Sequence, residues 1–319
     1  MIDLSVVIVS FDTQKLLLEC LASVEREVRR PVAMLESEVI VVDNGSRDGS
    51  PRAVREAFPW VELIALEQNV GYARGNNVGL RRARGRVIAL LNSDVVLVPG
   101  ALECAIAALE NHPDAGAAGI QLFHPDGRPQ NSIHMAPSFV REIAPTWLLE
   151  TLAPGRFPSK RRPAREPIEV EAVLGAALFV KRETLDRVGL LPEDYFFFLE
   201  ETDWCWQMRR EGFGILHVPG ARAIHHSGAS SKQKDPIATR IEYHRSLYHF
   251  LRKNRGAGSA NAVRMVRIAK GLVVILPLTL LGLVSSRHRA RLRGVSRLLL
   301  WHINGCPASW GLSGAGGAR

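Results

Sequence analysis

VIALLNSDVVLVPG, residues 87–100, runs apolar through Leu91, halts at the polar triplet Asn92-Ser93-Asp94, and then turns apolar again. A continuous apolar run of this length suits a strand buried on both faces, as in a parallel sheet. Its last residues then emerge at the carboxyl edge of that sheet, where open α/β folds bind ligands. Asp and Asn are equally ordinary turn and cap residues. On this stretch alone the two readings weigh the same, and the flanking sequence has to separate them.

Toward the N-terminus the same rhythm recurs. Residues 3–10, DLSVVIVS, read as a strand, and Leu17, Leu21, Val24 and Val28 follow at helical spacing behind Asp12-Thr13. SEVIVVDNGS gives a second strand, 38–42, ending on Asp43. Ser50-Pro51 is a helix start, VELIALE (61–67) a third strand, and Asn76–Arg84 a helix leading into strand 86–91. Beyond the triplet, Pro99-Gly100 opens a helix with Leu102, Ala105, Ile106 and Leu109 on one stripe. Strands alternating with helices imply an α/β fold, a mostly parallel central sheet with helices on both faces. Asp43 and Asp94 then occupy the same rim, and two carboxylates at strand ends are harder to dismiss as turn residues than one.

After Gly119 the rhythm loosens. Residues 153–167, APGRFPSKRRPAREP, read as a loop. Apolar order returns at 170–185, and an aromatic, acid-rich stretch, 192–212, starts a helix near Thr202. Tail helices are expected from 236 onward, and the glycine-rich end, GLSGAGGAR, reads as disordered. With 46% apolar residues in 319, the chain can bury a sizeable core. Cys20, Cys104, Cys205 and Cys306 are too dispersed for a zinc site and read as free thiols of a reducing compartment. The N-terminus lacks the basic start and cleavage site of a signal peptide.

The formal net charge of +9 belongs to one end. Residues 243–319 hold 13 of the 41 Lys and Arg and none of the 32 Asp and Glu. Within them GLVVILPLTLLGLVSS, 271–286, is uncharged and interrupted by Pro277, and RHRARLRG follows it. A spanning helix wants roughly 20 apolar residues, so this segment suits insertion at an anionic membrane surface, with arginines meeting phosphates. A buried core helix is the alternative. Nucleic acid is excluded as a partner, since the basic residues flank an apolar block without interleaved stacking aromatics.

No dinucleotide fingerprint or P-loop is present. NVGYARGNNVG, 69–79, offers Gly71, Gly75 and Gly79 with the amides of Asn69, Asn76 and Asn77, suited to a sugar–phosphate pocket or to a tight connection. Asp94 can share a divalent cation with a substrate diphosphate, since Mg²⁺ needs few protein carboxylates when phosphates supply oxygens. His225 or His226 could complete that shell, and in an extended segment the other faces away. Glu200, Glu201 and Asp203 stand at a helix start, where acids favour the helix dipole and where one near an acceptor hydroxyl can act as general base.

In the order VVIVSFD, VIVVDNGSRDGS, NVGYARGNNVG, ALLNSD, GAALFVKRETLDRVGLLPEDYFFFLEETDWCW and AIHHSG, these motifs resemble the family 2 glycosyltransferases of GT-A fold, over residues 3–230. The likeness is greatest to the rhamnosyltransferase-like branch of bacterial polysaccharide biosynthesis. It implies a catalytic domain over 1–235, nucleotide-binding in 1–120 and acceptor-binding in 121–235, and a helical basic region over 236–319. It further implies that Ser10 and Asp12 approach the donor base and that Asp43 reads a pyrimidine. Asn69, Gly71 and Asn77 line the donor pocket, while Ser93 and Asp94 end a DXD-like motif whose first place holds Asn92. Asp94 and His225 hold Mg²⁺ or Mn²⁺, with His226 as the alternative. Gly175 and Ala176 let the acceptor approach, and Glu200, Glu201 and Asp203 match the acids of the base motif, with Glu201 as the base although the family usually has Asp there.

The implied reaction is inverting transfer from a nucleotide-diphosphate sugar, dTDP-rhamnose or a UDP-sugar, to a glycan or lipid-linked acceptor. Its place is the cytoplasmic face of the bacterial inner membrane, reached through the tail. Two alternatives differ in class. A sugar nucleotidyltransferase would want a glycine-rich basic loop after the first strand, where only Lys15 stands. A non-catalytic scaffold would have no need of Asp94, Glu201 and His225 together.

Overall fold

A computed structural model describes residues 2–29, 35–154, 165–226 and 236–312. The glycine-rich end from 313 and most of the 153–167 loop (155–164) lie outside the described residues. β1 (Leu4–Ser10), α1 (Gln14–Val28), β2 (Ser37–Asp43), α2 (Ser50–Ala57), β3 (Glu62–Ala65), α3 (Tyr72–Arg82) and β4 (Val87–Asn92) alternate as the apolar pattern implies. Then come β5 (Val95–Leu97), α4 (Ala101–Asn111), β6 (Ala115–Phe123), β7 (Ile133–His134) and the short helices α5 (Phe139–Ile143) and α6 (Thr146–Leu152). The stretch 168–188 resolves into β8 (Ile168–Glu169), β9 (Ala172–Val173), β10 (Ala177–Lys181) and α7 (Arg182–Val188). α8 (Glu200–Arg210) and β11 (Gly214–His225) follow, and α9 (Pro236–Arg255), α10 (Ala257–Val284) and α11 (Ser286–Ile303) end the chain.

The main sheet runs β3-β2-β1-β4-β10-β6-β11-β5, with β8 also on β11. β3, β2, β1 and β4 are mutually parallel, but β10 enters antiparallel between β4 and β6, so the sheet is mixed. That insertion builds the rim. Ser10 stands beside Asp43 and Val9 beside Asn92 at the carboxyl ends of parallel strands. Because β10 runs the other way, its start pairs with the end of β4, Ala177 opposite Leu91, and delivers Gly175-Ala176 to the same edge. β11, parallel to β6, brings His225 there opposite Val95.

Each face of the sheet is covered. Alternate residues of one strand point to opposite sides, so Val6 and Ile8 pack with Leu17, Leu21 and Val24 of α1, while Val7 packs with Leu80 of α3. α3 lies so close to the sheet that a Cβ at Gly79 would come within 2.3 Å of Val7 Cγ1, and one at Gly75 within 2.9 Å of Val9 Cγ1. These two glycines serve helix–sheet contact rather than ligand approach. α8 starts two residues earlier than its sequence signal and buries Trp204, Cys205 and Met208 against the second face. Cys20, Cys104, Cys205 and Cys306 are free thiols, and burial pushes Cys20 and Cys205 up to about 12.

The chain forms two compact units. The first comprises Met1–Ala136, Pro154–Asp194 and Glu200–Ser230, the second Pro137–Ala153, Tyr195–Leu199 and Ser231–Arg319. In the second, α10 and α11 form an antiparallel hairpin. Gly271 lies close to Leu299, Arg289 Nη1 donates to the Gly282 carbonyl at 3.0 Å, and Arg264 Nη2 donates to the His302 carbonyl at 2.6 Å. Trp301, Tyr248, Phe250 and Leu251 are buried there. The apolar run expected over 271–286 is the second half of a 28-residue helix that continues through Pro277. Among the described residues α10 alone is long and apolar enough to cross a bilayer, and most of its apolar stretch is open to solvent.

Candidate active site

The exits of the parallel strands are cross-linked by short polar side chains. Thr13 Oγ1 lies 2.9 Å from Ser10 Oγ and 2.8 Å from Ser93 Oγ, so one hydroxyl chain joins β1 to the Asn92-Ser93-Asp94 turn. Asp12 takes a left-handed φ of 50°, and its carboxylate accepts from the Arg47 N–H at 2.8 Å. Asn44, which sequence reasoning passed over, organises the next exit. Its amide donates to Asn69 Oδ1 (3.0 Å) and the Gly71 carbonyl (3.2 Å), and its oxygen accepts from the Val70 N–H (2.9 Å). The signal was present as the residue after a strand-end Asp, a position that favours backbone-capping side chains.

Asp43 is 2% exposed. One carboxylate oxygen accepts from the Ser46 N–H at 3.0 Å, while Oδ1 is buried without a partner. A buried acceptor left open is costly unless a ligand fills it. Asn69 and Gly71 border this corner, Asn69 Oδ1 also accepting from the Gly71 N–H at 2.9 Å. Asn77 lies elsewhere. Its amide donates to the Leu191 carbonyl (2.9 Å) and Glu193 Oε1 (2.8 Å) and accepts from the Leu191 N–H (3.0 Å), tying α3 to the segment before α8.

At the far side of the rim, His225 Nε2 lies 3.3 Å from Asp94 Oδ1. His225 Nδ1 lies 2.7 Å from Gln130 Oε1. An amide oxygen only accepts, so Nδ1 donates to Gln130 and Nε2 is the ring nitrogen turned to the Asp94 carboxylate. A metal-bound imidazole typically donates its other ring N–H in this way, which fixes the ring's orientation. His226 meets the same residue through its backbone, donating its N–H to the Asp94 carbonyl at 3.0 Å. Among the described residues no group of three or more His, Cys, Asp or Glu side chains gathers as a metal cage. Two protein ligands nevertheless fit a divalent cation whose remaining positions are taken by phosphate and water.

The acid cluster begins α8. Glu200 is 4% exposed with Oε2 lacking a partner, Glu201 is half-buried, and Asp203 is fully buried and accepts from Gln207 Nε2 at 3.3 Å. Burial, with Glu201 adjacent, holds the Glu200 carboxyl well above its ordinary range. Burial also raises Glu201, against N–H groups of its own residue, Gly175 and Thr202 that favour its charge. Tyr72 Oη donates to the Gly175 carbonyl at 2.8 Å, and a Cβ at Gly175 would come within 3.0 Å of that hydroxyl and 3.3 Å of Glu201. A side chain here would crowd both groups. Burial, then the charges of Glu201, Glu200 and Asp94, holds the Tyr72 phenol well above its usual range. Ala176 is 2% exposed in the core, its carbonyl accepting from the Asn92 N–H at 2.9 Å. Immediately before α8, Phe198 and Leu199 both take left-handed φ (71° and 68°), strain of a kind that collects at functional sites.

The model of "Glycosyl transferase family 2" matches residues 5–188. The chain belongs to this family. Within family 2, it is 30% identical over 264 residues to the N-acetylglucosaminyl-diphospho-decaprenol L-rhamnosyltransferase of Mycobacterium tuberculosis, covering 78% of this chain and 83% of that one. It is 23% identical to the low-salt glycan biosynthesis hexosyltransferase Agl10 of Haloferax volcanii, over 70% of this chain and 67% of that protein. The mannosyltransferase PcManGT from Pyrobaculum calidifontis, solved with GDP-Man and Mn²⁺, superposes with a TM-score of 0.56 at 16% identity, covering 95% of this chain and 86% of that one. The family 2 chain thus has the GT-A fold that its motifs imply.

Proposed function

We propose that this family 2 glycosyltransferase moves a sugar from a nucleoside-diphosphate donor to an acceptor hydroxyl with inversion at the anomeric carbon. The observation that carries the reading is the rim itself. An Asp94–His225 pair poised for a cation lies on the same sheet edge as Gly175, which Glu201 touches. The open Asp43 Oδ1 suits the ring N–H of uracil or thymine, with Ser10, Asn44, Asn69 and Gly71 shaping that corner. Asp94 and His225 would hold Mg²⁺ or Mn²⁺, which when bound supplies positive charge to the diphosphate leaving group. Ser93, tied through Thr13, keeps the Asp94 turn in place.

On the opposite lip Glu201 accepts the proton of the acceptor hydroxyl as that oxygen attacks from the side away from the nucleotide. Its raised proton affinity makes it a stronger base than a solvated carboxylate. Glu200 and Asp203 border the acceptor side. The donor is dTDP-rhamnose, by analogy with the L-rhamnosyltransferase relative, and UDP-sugars are the next to test. The acceptor is a glycan or a lipid-linked sugar, met at the cytoplasmic face of the bacterial inner membrane.

The test is nucleotide release from dTDP-rhamnose and UDP-sugars with Mg²⁺ or Mn²⁺ and membrane extract as acceptor source. Glu201→Gln is expected to lower kcat by about 10²–10⁴-fold while leaving donor affinity near wild type, and Asp94→Ala to abolish metal dependence. A Glu201→Gln enzyme as fast as wild type refutes the base, and a wild type inert with every donor refutes transfer.

A further inference from the structure

The second unit shows large apolar side chains on two separate pieces of chain. On α10, Val273, Leu276 and Leu283 are 75%, 68% and 76% exposed, and on the α5–α6 segment Ile143, Trp147 and Leu152 are 51%, 66% and 73% exposed. Single exposed apolar residues are ordinary, but a group of this size marks a docking surface. Glu142 joins the two pieces. Its carboxylate accepts from Arg267 Nη2 at 2.6 Å and its carbonyl accepts from Lys270 Nζ. α5 is therefore pinned where the basic residues of α10 give way to its uncharged run.

Charge identifies the occupant. α11 returns along α10 and exposes Arg287, Arg289, Arg291, Arg293 and Arg297, and no acid lies anywhere in 243–319. An apolar strip edged by arginines complements a lipid leaflet, acyl chains on the strip and anionic phosphates on the edge. The hairpin also limits depth, because α10 cannot cross the hydrocarbon without drawing the arginines of α11 in with it. We infer that Ile143, Trp147 and Leu152 combine with the exposed strip of α10 into one two-piece surface that lies flat in a single leaflet of an anionic bilayer. This deepens the membrane-side reading above, which rested on the tail alone, by adding an element from the middle of the chain.

Full-length protein is sedimented with phosphatidylcholine vesicles that contain or lack phosphatidylglycerol. The wild type is expected to pellet with the anionic vesicles, and Trp147→Glu to lower partitioning about tenfold, as Leu283→Glu does. Trp60→Ala, which alters an exposed tryptophan of the first unit, leaves binding unchanged. Lipids brominated near the headgroup quench wild-type fluorescence, and Trp147→Phe removes that quenched component while retaining binding. Circular dichroism establishes that each variant is folded. Trp147 variants that pellet and quench like wild type overturn the inference. So does a Trp147→Glu that splits a lipid-free dimer while vesicle binding persists. Binding needs no substrate, so an inert protein that still binds would refute transfer and leave this surface standing.

Discussion

Glu200 and Glu201 are neighbours in sequence with opposite assignments, and burial separates them. Glu200 is the more enclosed, and its carboxyl is driven well above the ordinary range by burial and by Glu201. Burial therefore favours its protonated form more than that of Glu201, and glutamine mimics that form. Glu200→Gln is expected to keep kcat within a few-fold of wild type, in contrast to Glu201→Gln, and steady-state kinetics of the pair checks the assignment. The stability sign follows from linkage. A carboxyl raised in the folded state stabilises the fold below its unfolded pKa and loses that contribution as pH rises through the folded value. Urea melts should accordingly show Glu200→Gln gaining on wild type as pH rises from the acid range, and a constant difference would refute a raised Glu200. Gln130 acts through His225 by fixing the ring proton on Nδ1. Gln130→Leu is expected to weaken Mn²⁺ binding about 10–100-fold with the fold intact, as read by calorimetric titration.

At the scale of elements, α1 does more than cover the sheet. Ser23 Oγ accepts from the Leu97 N–H of β5 at 3.0 Å. The Glu27 carboxylate accepts from the N–H groups of Gly100 (3.0 Å) and Leu102 (3.2 Å), capping α4, whose own N-cap glycine has no side chain to do so. α1 thereby holds the hairpin-like excursion that follows Asp94. Glu27→Ala removes a buried charged cap and is expected to cost about 2 kcal/mol, with Glu27→Gln intermediate, measured by thermal unfolding. The element most consequential for the site is β10. Its apolar run was legible, but a run that short carries no sign of direction, and antiparallel insertion beside β4 is what sets Gly175 at the rim.

At the scale of the molecule, two compact units carry different chemistry. The first 242 residues hold 28 basic and 32 acidic groups, and the excess positive charge falls in the final 77. A transmembrane reading of α10 would put the α11 arginines near hydrocarbon at roughly 2.5–3.5 kcal/mol each on insertion scales, more than the apolar half of one helix offsets. The proposed placement of the hairpin in one leaflet would avoid that cost. The sequence placed the expected membrane-associating segment at the C-terminus alone, because α5 and α6 are too short for a helical period to register. Only folding assigns 137–153 to the unit that contains α10.

Local chemistry alone determined the alternation of strands and helices as far as β4 and the helix α4, though not the short β5 between them, the strand-end positions of Asp43 and Asp94, and the basic, acid-free tail. Period, turn residues and charge are properties of neighbouring residues and need no partner. The tertiary structure decided the contacts that make a site. Thr13 meets Ser93 across 80 residues, Gln130 meets His225 across 95, and Tyr72 meets Gly175 across 103. It also turned Gly75 and Gly79 toward the sheet and set the His225 ring, rather than that of His226, against the Asp94 carboxylate. Such pairings depend on which strand lies beside which, and strand order is set by burial of the whole sheet, which no single stretch of the chain encodes.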